Sequence, residues 1–137
     1  MTKNITQNLN INTNWIHLNN FQKNIDLSFF NHDNYKNDIQ TLDKKMSDIL
    51  CDDSWMGNCA KYQLNSGGKR FRAILALLAS KIFGLSKQVS HDIAICCEFI
   101  HNASLIHDDL QDRDLLRRGL PTIWNRFGDH TAINLGD

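Results

Sequence analysis

Residues 90–119 read SHDIAICCEFIHNASLIHDDLQDRDLLRRG, and the fold follows from how apolar and acidic positions share that stretch. From Ile93 to Ile106 apolar side chains occur on every side of a 3.6-residue repeat, so a helix built from them needs cover all round and belongs to an interior. Ser90 is placed to cap it, with Asp92 in the first turn. Upstream, Phe71, Ile74, Leu75, Leu77, Leu78 and Ile82 surround a second helix within 68–83, which Gly84 ends. Two interior helices joined by the short polar link 85–89 should pack antiparallel. Ile39, Leu42, Met46, Ile49 and Leu50 mark one face of an amphipathic helix that begins at Tyr35 and ends within 51–54. Gly119 and Pro121 interrupt the chain, and the stretch running to Asp137 reads as a further helix. No strand-like alternation is long enough to count, and Val89 is the sole valine, so the fold class is all-α.

The 137 residues suit one core. Leu, Ile, Val and Phe make up 38 of them, above the level of disordered chains. Residues 1–34 differ: Asn4, Asn8, Asn10, Asn12, Asn14, Asn19, Asn20, Asn24, Asn31 and Asn34 interrupt the apolar positions, which predicts a loosely ordered arm ahead of a helical domain over 35–137. Lys plus Arg number 15 and Asp plus Glu 15, without the basic stripe that nucleic-acid binding requires. No apolar run approaches a bilayer span and no leader pattern is present, so a cytoplasmic protein without stable membrane insertion is expected. Cys51, Cys59, Cys96 and Cys97 form no Cys-x-x-Cys pair, and the vicinal two sit in an apolar stretch; reduced thiols filling the core are the expectation.

Two clusters carry chemistry. In the first, Asp108, Asp109, Asp112 and Asp114 place four carboxylates within seven residues. Asp108 and Asp112 lie one helical turn apart on one face, where they can jointly hold a hard divalent cation; a solvated helix end neutralised by Arg113, Arg117 and Arg118 is the simpler alternative. The Gly and Glu positions of an EF-hand loop are absent. His101, two turns before Asp108, lies on the same stripe, either as a site residue or as a hydrogen-bonded core histidine. The second cluster is Gly67-Gly68-Lys69-Arg70-Phe71-Arg72, three cations at a helix start, where the dipole also favours an anion. It is not a P-loop, and alone it could be a solvated turn. Together the clusters describe carboxylates at one wall and cations at another around an apolar interior, which suits two diphosphates on hydrocarbon tails, one held through Mg²⁺ and one held directly.

The segments 67–72 and 101–119, followed by Pro121-Thr122, Trp124, Phe127-Gly128, Ala132 and Gly136-Asp137, resemble the trans-type isoprenyl diphosphate synthases in order and interval from about residue 40 onward. The resemblance implies the N-terminal portion of an isoprenoid synthase helix bundle. It further implies prenyl transfer from an allylic diphosphate to isopentenyl diphosphate, giving a geranylgeranyl or longer product. Asp108 and Asp112 would bind Mg²⁺ bridging the allylic diphosphate, with Arg117 on the same group and Asp109 assisting by hydrogen bonding or through the metal shell. Lys69, Arg72, His101 and Arg118 would hold isopentenyl diphosphate. Ala103 and Ser104 stand where short-chain members carry an aromatic floor, which implies a deeper pocket. Helix walls free of nucleophiles would protect the allylic cation from capture.

Ala73 replaces the proline usual after the basic motif, and the second aspartate-rich motif of the family, with its further Mg²⁺, has no counterpart here. Complete members are commonly homodimers, and the expectation for this chain alone is negligible turnover. A class I terpene synthase would share the acidic motif but lack both the basic cluster and Arg117-Arg118. A truncated, non-catalytic partner of a full-length subunit is the alternative outside catalysis.

Overall fold

The computed structural model describes residues 32–50 and 53–137; most of the asparagine-rich arm, and Cys51, lie outside the described residues. Among the described residues the fold is all-α but for one hairpin of two-residue strands. A 3₁₀ turn, His32–Tyr35, leads into α1 (Lys36–Ile49), so residues 32–34 are continuous with the helical region. Then come α2 (Trp55–Asn65), α3 (Phe71–Ile82) and α4 (Lys87–Asp112). Strands β1 (Leu116–Arg117) and β2 (Leu120–Pro121) follow, and α5 (Ile123–Phe127) and α6 (Asp129–Gly136) close the order.

α3 packs antiparallel along α4, the start of α3 lying beside Glu98 and His101, in the most extensive helix pairing among the described residues, and α4 continues past it to meet α6 and α5. Two cores result. Leu42, Met46, Leu64, Ala73, Leu77, Ala94 and Ile95 join α1 to α4, whereas Ile106, Ile123 and Ala132 unite the C-terminal half of α4 with α5 and α6. α1, α3 and α4 each contribute a stripe at three- and four-residue spacing, the spacing that stacks side chains on one face.

Four sequence expectations need correction. α4 begins at Lys87: Ser86 is its cap, its Oγ accepting from the Val89 N–H at 3.4 Å, while Ser90 is buried inside the helix and its hydroxyl donates to the Ser86 carbonyl. Both serines can cap, and the helix starts at the earlier one because the link after Gly84 is only two residues long. Neither central helix is enclosed within these residues, since Leu75 and Ile82 of α3 and Val89, Ile93 and Ile100 of α4 are exposed. Among the cysteines, Cys59 is buried and Cys97 half-buried, but Cys96 is exposed on the outer face of α4. α2 was not anticipated, because its moderately polar sequence WMGNCAKYQLN has a weak stripe; Ser54 starts it, its Oγ accepting from the Gly57 N–H at 2.9 Å.

Candidate active site

The basic cluster folds by separating its cations. Arg70 adopts φ +50° at the start of α3 and turns inward: its Nε donates to Asp43 Oδ1 at 2.8 Å, its Nη2 to the Leu64 carbonyl at 3.1 Å, and its Nη1 lies 3.8 Å from Glu98 Oε2. Glu98, 3% exposed on α4, also accepts the Ala73 N–H at 3.0 Å, so a carboxylate from a neighbouring helix caps α3. With Arg70 consumed in this way, Lys69 and Arg72 face outward.

Lys69 and Arg72 line a cavity of about 480 Å³ with His101, Asn102 and Arg118. Arg72 Nη1 lies 2.9 Å from His101 Nε2, and since a guanidinium only donates, that ring nitrogen accepts and the ring proton sits on Nδ1. Burial, then the Arg72 charge, holds the His101 pKa below the ordinary histidine value; Glu98 opposes the shift and Arg118 and Arg117 add to it. Neutral His101 in a cationic cavity thus has capacity to take a proton when an anion arrives.

Arg118 reaches the cavity from the turn between β1 and β2. That pairing sets Leu116 opposite Pro121 and Arg117 opposite Leu120, leaving Arg118-Gly119 as a two-residue loop with φ +53° and +80°. Loops with two positive φ values favour Asn-Gly, so an arginine, with its Cβ, at the first position is strained. The guanidinium lies against Gly68, where a Cβ would stand 3.0 Å from Arg118 Nη1.

Arg117, next in the chain, turns the other way. Its Nε donates at 2.8 Å to both oxygens of Asp109, 1% exposed, and its Nη2 donates to Oδ1 at 2.6 Å. That hydrogen bond, opposed by burial, holds its pKa above the usual arginine value. Asp109 is therefore engaged within the protein. Asp108 and Asp112 are exposed, and neither makes a hydrogen bond or ion pair among the described residues. Arg113, which the alternative of a neutralised helix end would set against these acids, instead donates to both oxygens of Asp129 at 2.9 Å and stacks over Trp124.

Among the described residues no group of three or more His, Cys, Asp or Glu forms a ready metal cage. The Asp108–Asp112 pair still fits Mg²⁺, which keeps several waters and binds through one or two carboxylates plus substrate phosphates. Beside this face, His107 packs on Gly136 of α6, where any Cβ would overlap its ring, and its Nε2 lies 3.4 Å from the Ile133 carbonyl.

The structure separates Ala103 from Ser104. Ser104 borders an open groove with Arg72, Leu75, Cys97, Ile100 and His101, and its Oγ donates to the His101 carbonyl at 2.8 Å. This wall therefore carries a thiol and a hydroxyl. Ala103 lines a different cavity of about 330 Å³, with Leu50, Leu64, Phe99, Ile106 and Leu135, between α2, α4 and α6. Glu98 and Arg70 were missed as site-building residues. A lone acid within the apolar run 93–106 was the available signal.

Residues 53–137 match the polyprenyl synthetase family. The chain belongs to that family. It is similar to the geranylgeranyl pyrophosphate synthase of Geoglobus acetivorans, 35% identical over 104 residues covering 74% of this chain and 33% of that protein. It also matches the geranylfarnesyl diphosphate synthase of Methanosarcina mazei, 42% identical over 93 residues, 68% of this chain and 32% of the other. Among solved structures, the geranyltranstransferase of Thermotoga maritima superposes with a TM-score of 0.69 at 32% identity, over 77% of this chain and 40% of that one. The matches thus span about a third of the length of the curated relatives. No helix among the described residues is long and apolar enough to cross a membrane.

Proposed function

We propose that this polyprenyl synthetase chain supplies the diphosphate-binding half of a prenyltransferase, in which isopentenyl diphosphate is joined to an allylic diphosphate to give a longer trans-prenyl diphosphate. The observation that carries the reading is the convergence of Lys69, Arg72, His101 and Arg118 on one cavity, with the unpaired carboxylates Asp108 and Asp112 two and three turns (about 10 and 16 Å) further along α4 from His101. Asp108 and Asp112 hold Mg²⁺, which when bound draws charge from the diphosphate leaving group. Arg117, fixed by Asp109 yet partly exposed, contacts that same diphosphate. Lys69, Arg72 and Arg118 grip isopentenyl diphosphate without a metal, and His101 adds a second donor by taking up a proton. The allylic tail lies in the cavity under Ala103, whose walls carry neither thiol nor hydroxyl. In the cell the chain works in the cytoplasm, as part of a homodimer.

The experiment is a pair of titrations. Calorimetry with Mg²⁺ and a non-reactive allylic diphosphate should lose its heat in the Asp108→Asn, Asp112→Asn double variant. Lys69→Ala, Arg72→Ala or His101→Ala should weaken isopentenyl diphosphate roughly ten- to a hundredfold, the worth of one charge-assisted hydrogen bond, while leaving the allylic ligand nearly unchanged. Equal binding in parent and double variant overturns the metal assignment, and unchanged isopentenyl affinity in all three single variants overturns the second site.

A further inference from the structure

The last turn of α4 has little of its own to keep it wound. Asp108, Asp109 and Asp112 crowd the negative end of the helix dipole, and although Arg117 offsets Asp109, the turn itself holds no basic residue. Arg113 then caps the helix at φ +58°, ψ +33°, the left-handed position that usually falls to glycine because a Cβ is strained there. The backbone closes with two N–H groups, those of Arg113 and Asp114, sharing the Asp109 carbonyl. Asp112 stands one turn from Asp108 only while that closure holds.

One side chain of α5 grips both residues that follow Asp112. Trp124 Nε1 donates to the Asp114 carbonyl at 2.8 Å, and the Arg113 guanidinium lies over the indole, 5.1 Å from the ring centroid. Thr122, 1% exposed, adds its Oγ1 to the same carbonyl at 2.7 Å, and Asp129 accepts from Arg113. We propose that Trp124 is a positioning residue: by tying residues 113 and 114 to α5 it keeps the last turn of α4 wound, so that Asp112 presents its carboxylate beside that of Asp108. The inference rests on the reading that these two carboxylates hold Mg²⁺ jointly. Unwinding would carry Asp112 off the shared face and leave Asp108 to hold the cation alone. In this role Trp124 touches neither metal nor substrate, and its effect on affinity passes through Asp112. Glycine at position 113 would take the left-handed conformation without strain and make the clamp unnecessary.

Calorimetry on the full chain tests this, with Mg²⁺ plus a non-reactive allylic diphosphate as one ligand and isopentenyl diphosphate without Mg²⁺ as the other. Trp124→Phe keeps a ring and removes the donor. It should weaken the Mg²⁺-dependent complex about three- to tenfold, the worth of one hydrogen bond, and leave isopentenyl diphosphate unchanged. Adding Arg113→Gly to Trp124→Phe should restore the parent affinity, and in an Asp112→Asn background Trp124→Phe should cost nothing further. Amide exchange at Asp114 should quicken in Trp124→Phe and return to the parent rate when Arg113→Gly is added. Asp129→Asn, which loosens Arg113 by another route, gives the same comparison if the phenylalanine variant does not fold. Parent-like Mg²⁺-dependent affinity in Trp124→Phe, equal weakening of both ligands, or no rescue by glycine overturns the inference while the metal assignment stands. If the Asp108→Asn, Asp112→Asn double variant binds as the parent does, the underlying reading fails instead.

Discussion

Two buried carboxylates on α4, Glu98 and Asp109, hold the two arginine-bearing segments of the site, and they do so differently. Glu98 takes the Ala73 N–H and faces Arg70, whose side chain is 9% exposed and also bound to Asp43 and Leu64. Asp109 takes Arg117 alone, and that side chain remains 26% exposed. At one end the arginine is consumed in folding and its neighbours Lys69 and Arg72 are left to line the cavity. At the other the pinned arginine keeps an open edge and can itself meet a ligand. The same pairing chemistry thus yields a structural clamp in one place and an aimed reagent in the other, and the number of partners decides which.

Glu98→Ala breaks the comparison most severely. It strips the cap from α3 and leaves part of the Arg70 charge buried, so a loss of about 3–5 kcal/mol in urea unfolding is expected; less than 1 kcal/mol would mean that Asp43 and Leu64 suffice. Asp109→Asn should cost less, about 1–2 kcal/mol, because Arg117 can turn to water. It should nevertheless weaken a Mg²⁺–allylic diphosphate complex, a separation between stability and binding that Glu98 variants do not offer. Gly136→Ala, which drives a methyl into the His107 ring, should cost about 1–3 kcal/mol by overpacking. A wild-type melting temperature would show that α6 shifts freely against α4. Asp108→Asn with Asp112→Asn should leave stability unchanged or raise it by a few tenths of a kcal/mol, since like charges one turn apart repel.

The smallest effect is protonic. The folded state holds the His101 pKa below its unfolded value, so the unfolded chain binds more protons as pH falls past about 6.5. Neutral His101 therefore contributes stability that is present above that pH, is lost as pH drops toward the folded pKa, and changes no further below it. A bound anion favours the protonated ring and reverses the trend for affinity, which should rise as the solution is acidified. Ring-carbon NMR titration of His101 with and without inorganic diphosphate reads both, and His101→Gln should flatten them. A His101 that titrates at or above 6.5 without ligand would contradict the geometry.

Much of this site was legible because its chemistry is local in sequence. Asp108 and Asp112 share a face by helical period alone, and Lys69, Arg72 and His101 are drawn together by the antiparallel pairing of α3 and α4, which their apolar spacing foretells. Long-range partnerships were not legible. Nothing in the string of residues says that Arg70 turns inward to Asp43 while Arg72 turns outward, or that Arg113 leaves the acidic cluster for Asp129. α2 escaped notice because its burial rests on Gly57, Cys59, Gln63 and Leu64, too mixed a set to form a stripe. The start of α4 was misplaced because Ser86 and Ser90 carry equal capping chemistry and only the length of the preceding turn chooses between them.

Gly68 touches no ligand in any of these readings, yet it affects what binding costs. With no side chain there, the Arg118 guanidinium rests on the backbone of the basic loop at 3.0 Å from where a Cβ would be. The absent side chain leaves room for this exposed cation to lie along the loop that carries Lys69. A diphosphate gripping both would order a long, flexible side chain at a cost of about 0.5–1.5 kcal/mol, to which the open space at Gly68 adds no steric penalty. Any larger residue at position 68 would unseat Arg118, and the penalty would appear as slower capture and faster release of the anion rather than as a missing contact.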